Sequence, residues 1–372
     1  MGSGTEVKPN EKNSTGPGPS GSPRYPVLDG LRIVAMMDIV SIHVTGHYLL
    51  WGMGLPVFII VAVALGVRKP ELPEWSDLPG AARKRAVRVL MPWVVWTVFF
   101  ALNRMFWAGV DSEKTIAGLF YPWMLLGGTS MHLWFLPFIF VAELAVLGLL
   151  APLRRVPTGV LIAGATGLAA LCIIWTGAIY DQASAVYGPM TMRSEEYAER
   201  AALYGWTVRK SWLFGTASVC LGIAVGRALS LSPRGGVAPR RILLAASAVL
   251  FGLYFVWDRL ENPIIHGHAI WQWWRQMLAL LLVAVAVQFT GKTPAWLMRV
   301  AILTMGIYLL HGWVASQWGN FCHLLYGTII WDMIWRVDYV MENRYGKVAV
   351  IWLATAMLVS LLRRSALVRR VL

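Results

Sequence analysis

The sequence predicts an all-α fold, a polytopic transmembrane bundle of about ten helices with both termini in the cytoplasm. Three observations predict it. The 372 residues are 57% hydrophobic and 14% charged, with a mean hydropathy of +0.58. A soluble domain is nearer 45–50% apolar and about 25% charged. Apolar stretches close to the ~20 residues of a membrane crossing recur along the chain. The basic residues gather on alternate connections between those stretches, as membrane topology requires. This composition excludes a soluble enzyme, a disordered chain and a fibrous one.

Residues 1–24 are rich in Gly, Ser, Pro, Asn, Lys and Glu. They lack the apolar surface to bury a core and are expected to form a disordered cytoplasmic tail. They contain no apolar run of the kind a signal peptide carries, so the first apolar stretch reads as a retained helix. Residues 25–372 are then one membrane-embedded domain. Its apolar segments fall at about 27–50, 53–67, 89–108, 131–150, 159–178, 211–229, 242–257, 273–290, 300–318 and 347–362. The second is short and follows Gly52, Gly54 and Pro56, which predicts an oblique or irregular entry covered by protein or a cavity.

Alternating these segments from a cytoplasmic N-terminus leaves 21 basic residues and five acids inside. The outside connections hold 11 basic residues and 11 acids. The net charge of +14 therefore reads as topology, and membrane lipids, with no nucleic acid, are the expected surroundings. Three cysteines without a C-x-x-C pair supply neither a disulfide framework nor a zinc knuckle.

The first segment breaks the apolar pattern. It carries Asp29, Arg32, Asp38 and His43, with His47 following. Ionisable groups within a membrane helix are costly and mark a site or a pathway by default. Arg32 and His43 are eleven residues apart, which is about 1100° of helix, or ~20° after three turns, and roughly 16 Å of rise. They share a face without touching. That suits a long ligand held by an anion clamp at one end and a base at the other. Arg32 also reads as a positive-inside anchor paired to Asp29 at i,i+3, and His43 as an interhelical hydrogen-bonding group.

Leu28-Asp-Gly-Leu-Arg32, ten residues and then His43 resemble the opening helix of the acyltransferase-3 family of integral membrane O-acyltransferases. Further resemblances follow in order: Gly54-Leu-Pro56-Val-Phe58, Arg83-Lys84-Arg85-Ala-Val-Arg88 leading into Pro92-Trp93, His132-Leu-Trp134-Phe-Leu136, and Gly306-Ile-Tyr308-Leu-Leu-His311. Together they span residues 25–312. In one place the chain departs from the pattern: Ala62-Val63 stands where the family usually has Ser-Gly.

The resemblance implies transfer of an acyl group, most simply acetyl, from acyl-CoA on the cytoplasmic side to a hydroxyl of a cell-surface glycan, glycolipid or similar acceptor. A bacterial inner membrane is the expected location. A thioester is already activated, so the main need is a base near neutrality, a role for His43. A covalent acyl-histidine route fits the same residues. Arg85, Arg88 and Lys84, with Arg32, form the expected clamp for coenzyme A phosphates. Without the resemblance the 83–88 run reads as topology charge. Asp29, His47, Trp134 and His311 complete the expected substrate-binding set.

Several features stay open at this level. His43 and His47 at i,i+4 could ligate a metal, but no third ligand is apparent and none is expected. His311 reads as lining the same cavity or as interhelical packing. His266-Gly-His268 beside Trp271, Trp273 and Trp274 reads as an interfacial aromatic belt or a sugar platform. Glu143 is a satisfied buried acid or a cavity residue. Two other functions share the scaffold: a proton-coupled transporter, which would spread acids over several helices, and a non-catalytic membrane sensor.

Overall fold

A computed structural model describes residues 25–50, 52–69, 71, 72, 74–107, 124–187, 197–231, 268–325, 343–365 and 368. The described residues form helices and turns, with no strand among them. In order the helices are α1 (Pro26–Thr45), α2 (Gly54–Val67), α3 (Leu78–Arg85), α4 (Met91–Trp107), α5 (Met124–Gly127), α6 (Phe135–Leu150), α7 (Thr158–Tyr187), α8 (Tyr197–Ser230), α9 (His268–Ala286), α10 (Ala295–Leu325) and α11 (Arg344–Leu362). The fold is the polytopic all-α bundle expected. Nine of the ten apolar segments appear as helices, and the segment at 242–257 lies outside the described residues. So do the tail at 1–24 and His266.

Six stretches are long and apolar enough to cross a membrane: Trp75–Asn103, His132–Leu150, Thr158–Thr176, Ser211–Ser230, Ala295–Trp318 and Tyr345–Leu362. Helices α2 and Trp274–Ala286 are apolar but shorter. The chain is an integral membrane protein.

Several boundaries move from their predicted places. Residues 83–88, expected as a loop, are helical. Helix α3 runs through a π-helical turn at Ala86–Leu90 into α4, so the basic run rides on a continuous rod. Helix α1 stops at Thr45, not at residue 50, because Gly46 adopts φ +73° and its N–H caps the carbonyl of Ile42. A left-handed residue at this position ends a helix, and glycine takes it without steric cost.

The segment between α1 and α2 turns back into the bundle, and Asp38 holds it there. The buried Asp38 carboxylate accepts the backbone N–H of Leu50 at 2.6 Å and of Gly54 at 3.0 Å. Helix α2 thus starts beside the middle of α1, with an acidic side chain on its N-terminal amides, the favourable sign for that end of the helix dipole. The approach requires glycine: a Cβ on Gly54 would meet the carbonyl oxygen of Ala35. This is the irregular, protein-covered entry that the short second segment predicts.

At its other end α2 is closed by Arg227 of α8. The buried guanidinium donates to the carbonyls of Val67 and Lys69 and to the Thr158 hydroxyl. Cations at helix C-termini are favourable for the same electrostatic reason. Between these ends, Val63, Ala64 and Val67 pack against Gly222 and Gly226 of α8, whose missing side chains let the backbones approach. Val63 is therefore a packing residue that fills space left by glycines on α8.

Polar contacts gather one set of helix ends together. Arg68 lies over the Tyr25 ring at 5.9 Å. The Thr293 hydroxyl donates to Asp29 at 2.9 Å, Arg154 pairs with Glu74 at 2.7 Å, and Arg363 donates to the carbonyl of Ile302. Arg68, Glu74, Arg154, Thr293 and Arg363 belong to connections or ends that the charge count assigns to a single side.

Candidate active site

Three histidines from three helical segments meet in the other half of the bundle. The ring of His43, in the last turn of α1, lies 5.2 Å centroid to centroid from His311 of α10 and 6.0 Å from His132. His132 and His311 are 5.2 Å apart. His132 sits in a short 3-10 turn at Met131–Trp134 that opens α6. The rings of Phe100 and Tyr308 close on His132 at 5.2 and 5.8 Å.

The backbone decides what each imidazole presents. A carbonyl oxygen only accepts, so a ring nitrogen facing one carries the proton. His132 Nε2 faces the carbonyl of Leu309 at 3.3 Å, which leaves Nδ1 to accept from the Ser130 hydroxyl at 3.0 Å. The Tyr308 hydroxyl donates to the backbone carbonyl of His132 itself. His311 Nδ1 donates to the carbonyl of Ile307 at 3.1 Å, one turn back along α10. Its Nε2 is buried without a partner. His132 and His311 are buried, whereas His43 is exposed. His43 is thus the member of the cluster accessible to an incoming molecule.

The rest of the expected site separates into two groups. Helix α1 is unbroken, so Arg32 lies about eleven residues, or roughly 16 Å, below His43 on the same side of the helix. Arg32 pairs loosely with Asp29 at 3.8 Å, and Arg88 is near enough for the two positive charges to act on one another. Arg88 and Arg85 influence each other in the same way. Lys84 and Arg88 are exposed. Three guanidinium groups therefore lie within electrostatic range of one another, with the carboxylates of Asp29 and Glu143 compensating two of them.

Arg85 is already engaged. Its guanidinium pairs with Glu143 of α6 at the edge of a narrow cleft between α2, α3 and α6. Ala62 and Val63 line that cleft, so the departure from the family pattern lies near the arginines and not near the histidines.

Other expectations are redirected. Asp29 contacts Thr293 and Arg32 at the helix entrance. His47 leaves the helix at Gly46, so the i,i+4 metal spacing with His43 does not form. Its backbone joins the turn instead, the carbonyl accepting from the Ser41 and Thr45 hydroxyls. The Trp134 ring meets Phe135 edge-on and Phe138 at a tilt. His311 does join His43. Among the described residues, no group of three or more His, Cys, Asp or Glu side chains is arranged to hold a metal ion.

His132 was absent from the expected site. Its signal was present in the His132-Leu-Trp134 motif, a lone imidazole at the mouth of a strongly apolar segment, which reads equally well as packing until the fold brings α1 and α10 beside it.

A family described as an acyltransferase domain matches residues 25–365, nearly the whole chain. No curated protein and no solved structure matches.

Proposed function

The chain belongs to the acyltransferase-3 family, and on that premise we propose that it moves an acyl group, most simply acetyl, from acyl-CoA to a hydroxyl of a cell-surface glycan, glycolipid or similar acceptor, with His43 as base. The observation that carries this reading is the partition of α1. One end of the helix enters a cluster of guanidinium groups, and the other enters a cluster of imidazoles.

A molecule with phosphates at one end and a thioester at the other fits that partition. Arg32 and Arg88 hold the phosphates by charge-assisted hydrogen bonds, with Arg85 and Lys84 at the margin. An extended pantetheine arm carries the thioester along α1 to His43. His43 takes the proton of the attacking hydroxyl as its oxygen bonds to the thioester carbonyl carbon. The C–S bond then breaks, and the thiolate takes the proton from the imidazolium. The products are the ester and free coenzyme A.

The intramembrane carboxylates weigh against a proton-coupled transporter. Asp29, Asp38 and Glu143 each spend their oxygens on fixed partners, a hydroxyl and an arginine, two backbone amides, and a second arginine. A sensor on this scaffold would keep the fold but release no thiol. The test is free-thiol release from acetyl-CoA by the purified protein in detergent, with and without a hydroxyl acceptor. Release above the protein-free rate supports the enzyme, and its absence with every acyl chain length offered contradicts it. The donor enters from the cytoplasm, the side given by the charge count, and a bacterial inner membrane is the proposed location.

A further inference from the structure

We propose that His311 is a positioning residue that fixes the tautomer of His43 by accepting a hydrogen bond at Nε2. The proposal rests on the assignment of His43 as base. It begins from one atom. His311 is fully buried, its Nδ1–H is committed to the Ile307 carbonyl, and Nε2 therefore offers a bare lone pair with nothing bonded to it. Buried polar atoms are rarely left unpaired, and those that are call for an explanation.

Two other imidazoles contact His311. Both nitrogens of His132 are occupied, by the Ser130 hydroxyl and the Leu309 carbonyl. His43 makes ring contacts with both histidines and no hydrogen bond to a described residue. The donor that matches the orphaned Nε2 is therefore an N–H of His43, from a ring centred 5.2 Å away. Catalytic hydrogen bonds are commonly long before substrate arrives and shorten afterwards. A modest rotation of the exposed His43 ring would close this one.

The consequence is chemical. A neutral imidazole has one N–H. When His43 gives that N–H to His311, its other nitrogen is a lone pair facing outward, where a hydroxyl can be deprotonated. The proton leaving the hydroxyl goes to that nitrogen, and the resulting imidazolium keeps its first N–H on His311 until the departing thiolate removes the new proton. No charge is buried in the resting state, because His311 does this work as a neutral ring.

The test uses the full-length protein in detergent or nanodiscs. His311→Leu removes the acceptor, and His311→Gln replaces it with an amide oxygen of similar reach. We expect His311→Leu to lower kcat about 10- to 100-fold, the range for losing a partner that orients a histidine. The KM for acetyl-CoA should stay within about twofold, since the phosphates lie roughly 16 Å away along the helix, and His311→Gln should recover most of kcat. In protein labelled with ¹⁵N-histidine and loaded with coenzyme A, His43 should show one neutral tautomer, and both in His311→Leu. A folded His311→Leu with parental kcat overturns the proposal, as does a Gln variant no better than Leu, or an unchanged tautomer pattern. Failure of the base assignment itself is distinct: it would appear as full activity in His43→Ala, whatever His311 does.

Discussion

The guanidinium of Arg85 is bound to the carboxylate of Glu143, which joins the basic helix α3 to the middle of the apolar helix α6. Both side chains are mostly buried, 23% and 17% exposed. Removing one partner of such a pair strands the other charge, at about 3–5 kcal/mol when burial is complete and less at this exposure. Arg85→Ala should therefore lower Tm in detergent, and Glu143→Gln added to it should restore part of the loss. Thermal unfolding of both single variants and the double variant checks this. Strictly additive losses would mean that the two groups do not support one another.

Because Glu143 occupies Arg85, Arg32 and Arg88 should carry most of the donor affinity. Alanine at either position should raise the KM for acyl-CoA about tenfold to a hundredfold, from the ~1.5–3 kcal/mol of a hydrogen bond to a charged group. The acceptor KM should hardly move. Added salt should weaken donor binding to the parent more than to the variants, because screening acts on the charges that remain. Initial-rate kinetics at two ionic strengths distinguishes this clamp from charges that only set topology.

Asp38 should be a folding residue with an indirect effect on catalysis. Asp38→Asn keeps one acceptor oxygen and loses the other, which should cost about 1–3 kcal/mol. Asp38→Leu leaves the amides of Leu50 and Gly54 without their partner and should abolish well-folded protein. Yield, monodispersity and Tm of the two variants give the ranking. An Asp38→Leu protein as stable as the parent would remove the proposed anchor.

What the sequence revealed and what it hid follow from the range of the forces involved. The helices were legible because apolar length and charge alternation are local properties. So was the Arg32–His43 relation, since helical periodicity alone sets it. Hydropathy does not mark the end of α1, because residues 46–50 remain moderately apolar, whereas the stop comes from a backbone conformation at Gly46. Nothing local marks Arg227 as more than one of the basic residues, although the fold uses it to close α2, from 158 residues or more away in sequence. His132 and the unpaired Nε2 of His311 depend on three helices meeting, and no periodicity reports that. Glu143 was visible as an anomaly, but its partner lies on another helix.

Orientation is open to a direct test. The charge count places the C-terminus in the cytoplasm. A reporter active only in the cytoplasm should work when fused after Leu372. One active only outside the membrane should stay silent there. The reverse pair of results would invert the bundle and move the guanidinium cluster away from cytoplasmic acyl-CoA.

The most direct measurement of the central claim is thiol release by purified His43→Ala beside its binding of acyl-CoA. The account predicts a rate lower by about 10²–10⁴, the usual loss for a missing general base, with donor binding close to that of the parent. His47→Ala should stay near parental activity, because that side chain lies beyond the end of α1. A folded His43→Ala protein that turns over at the parental rate would contradict the account.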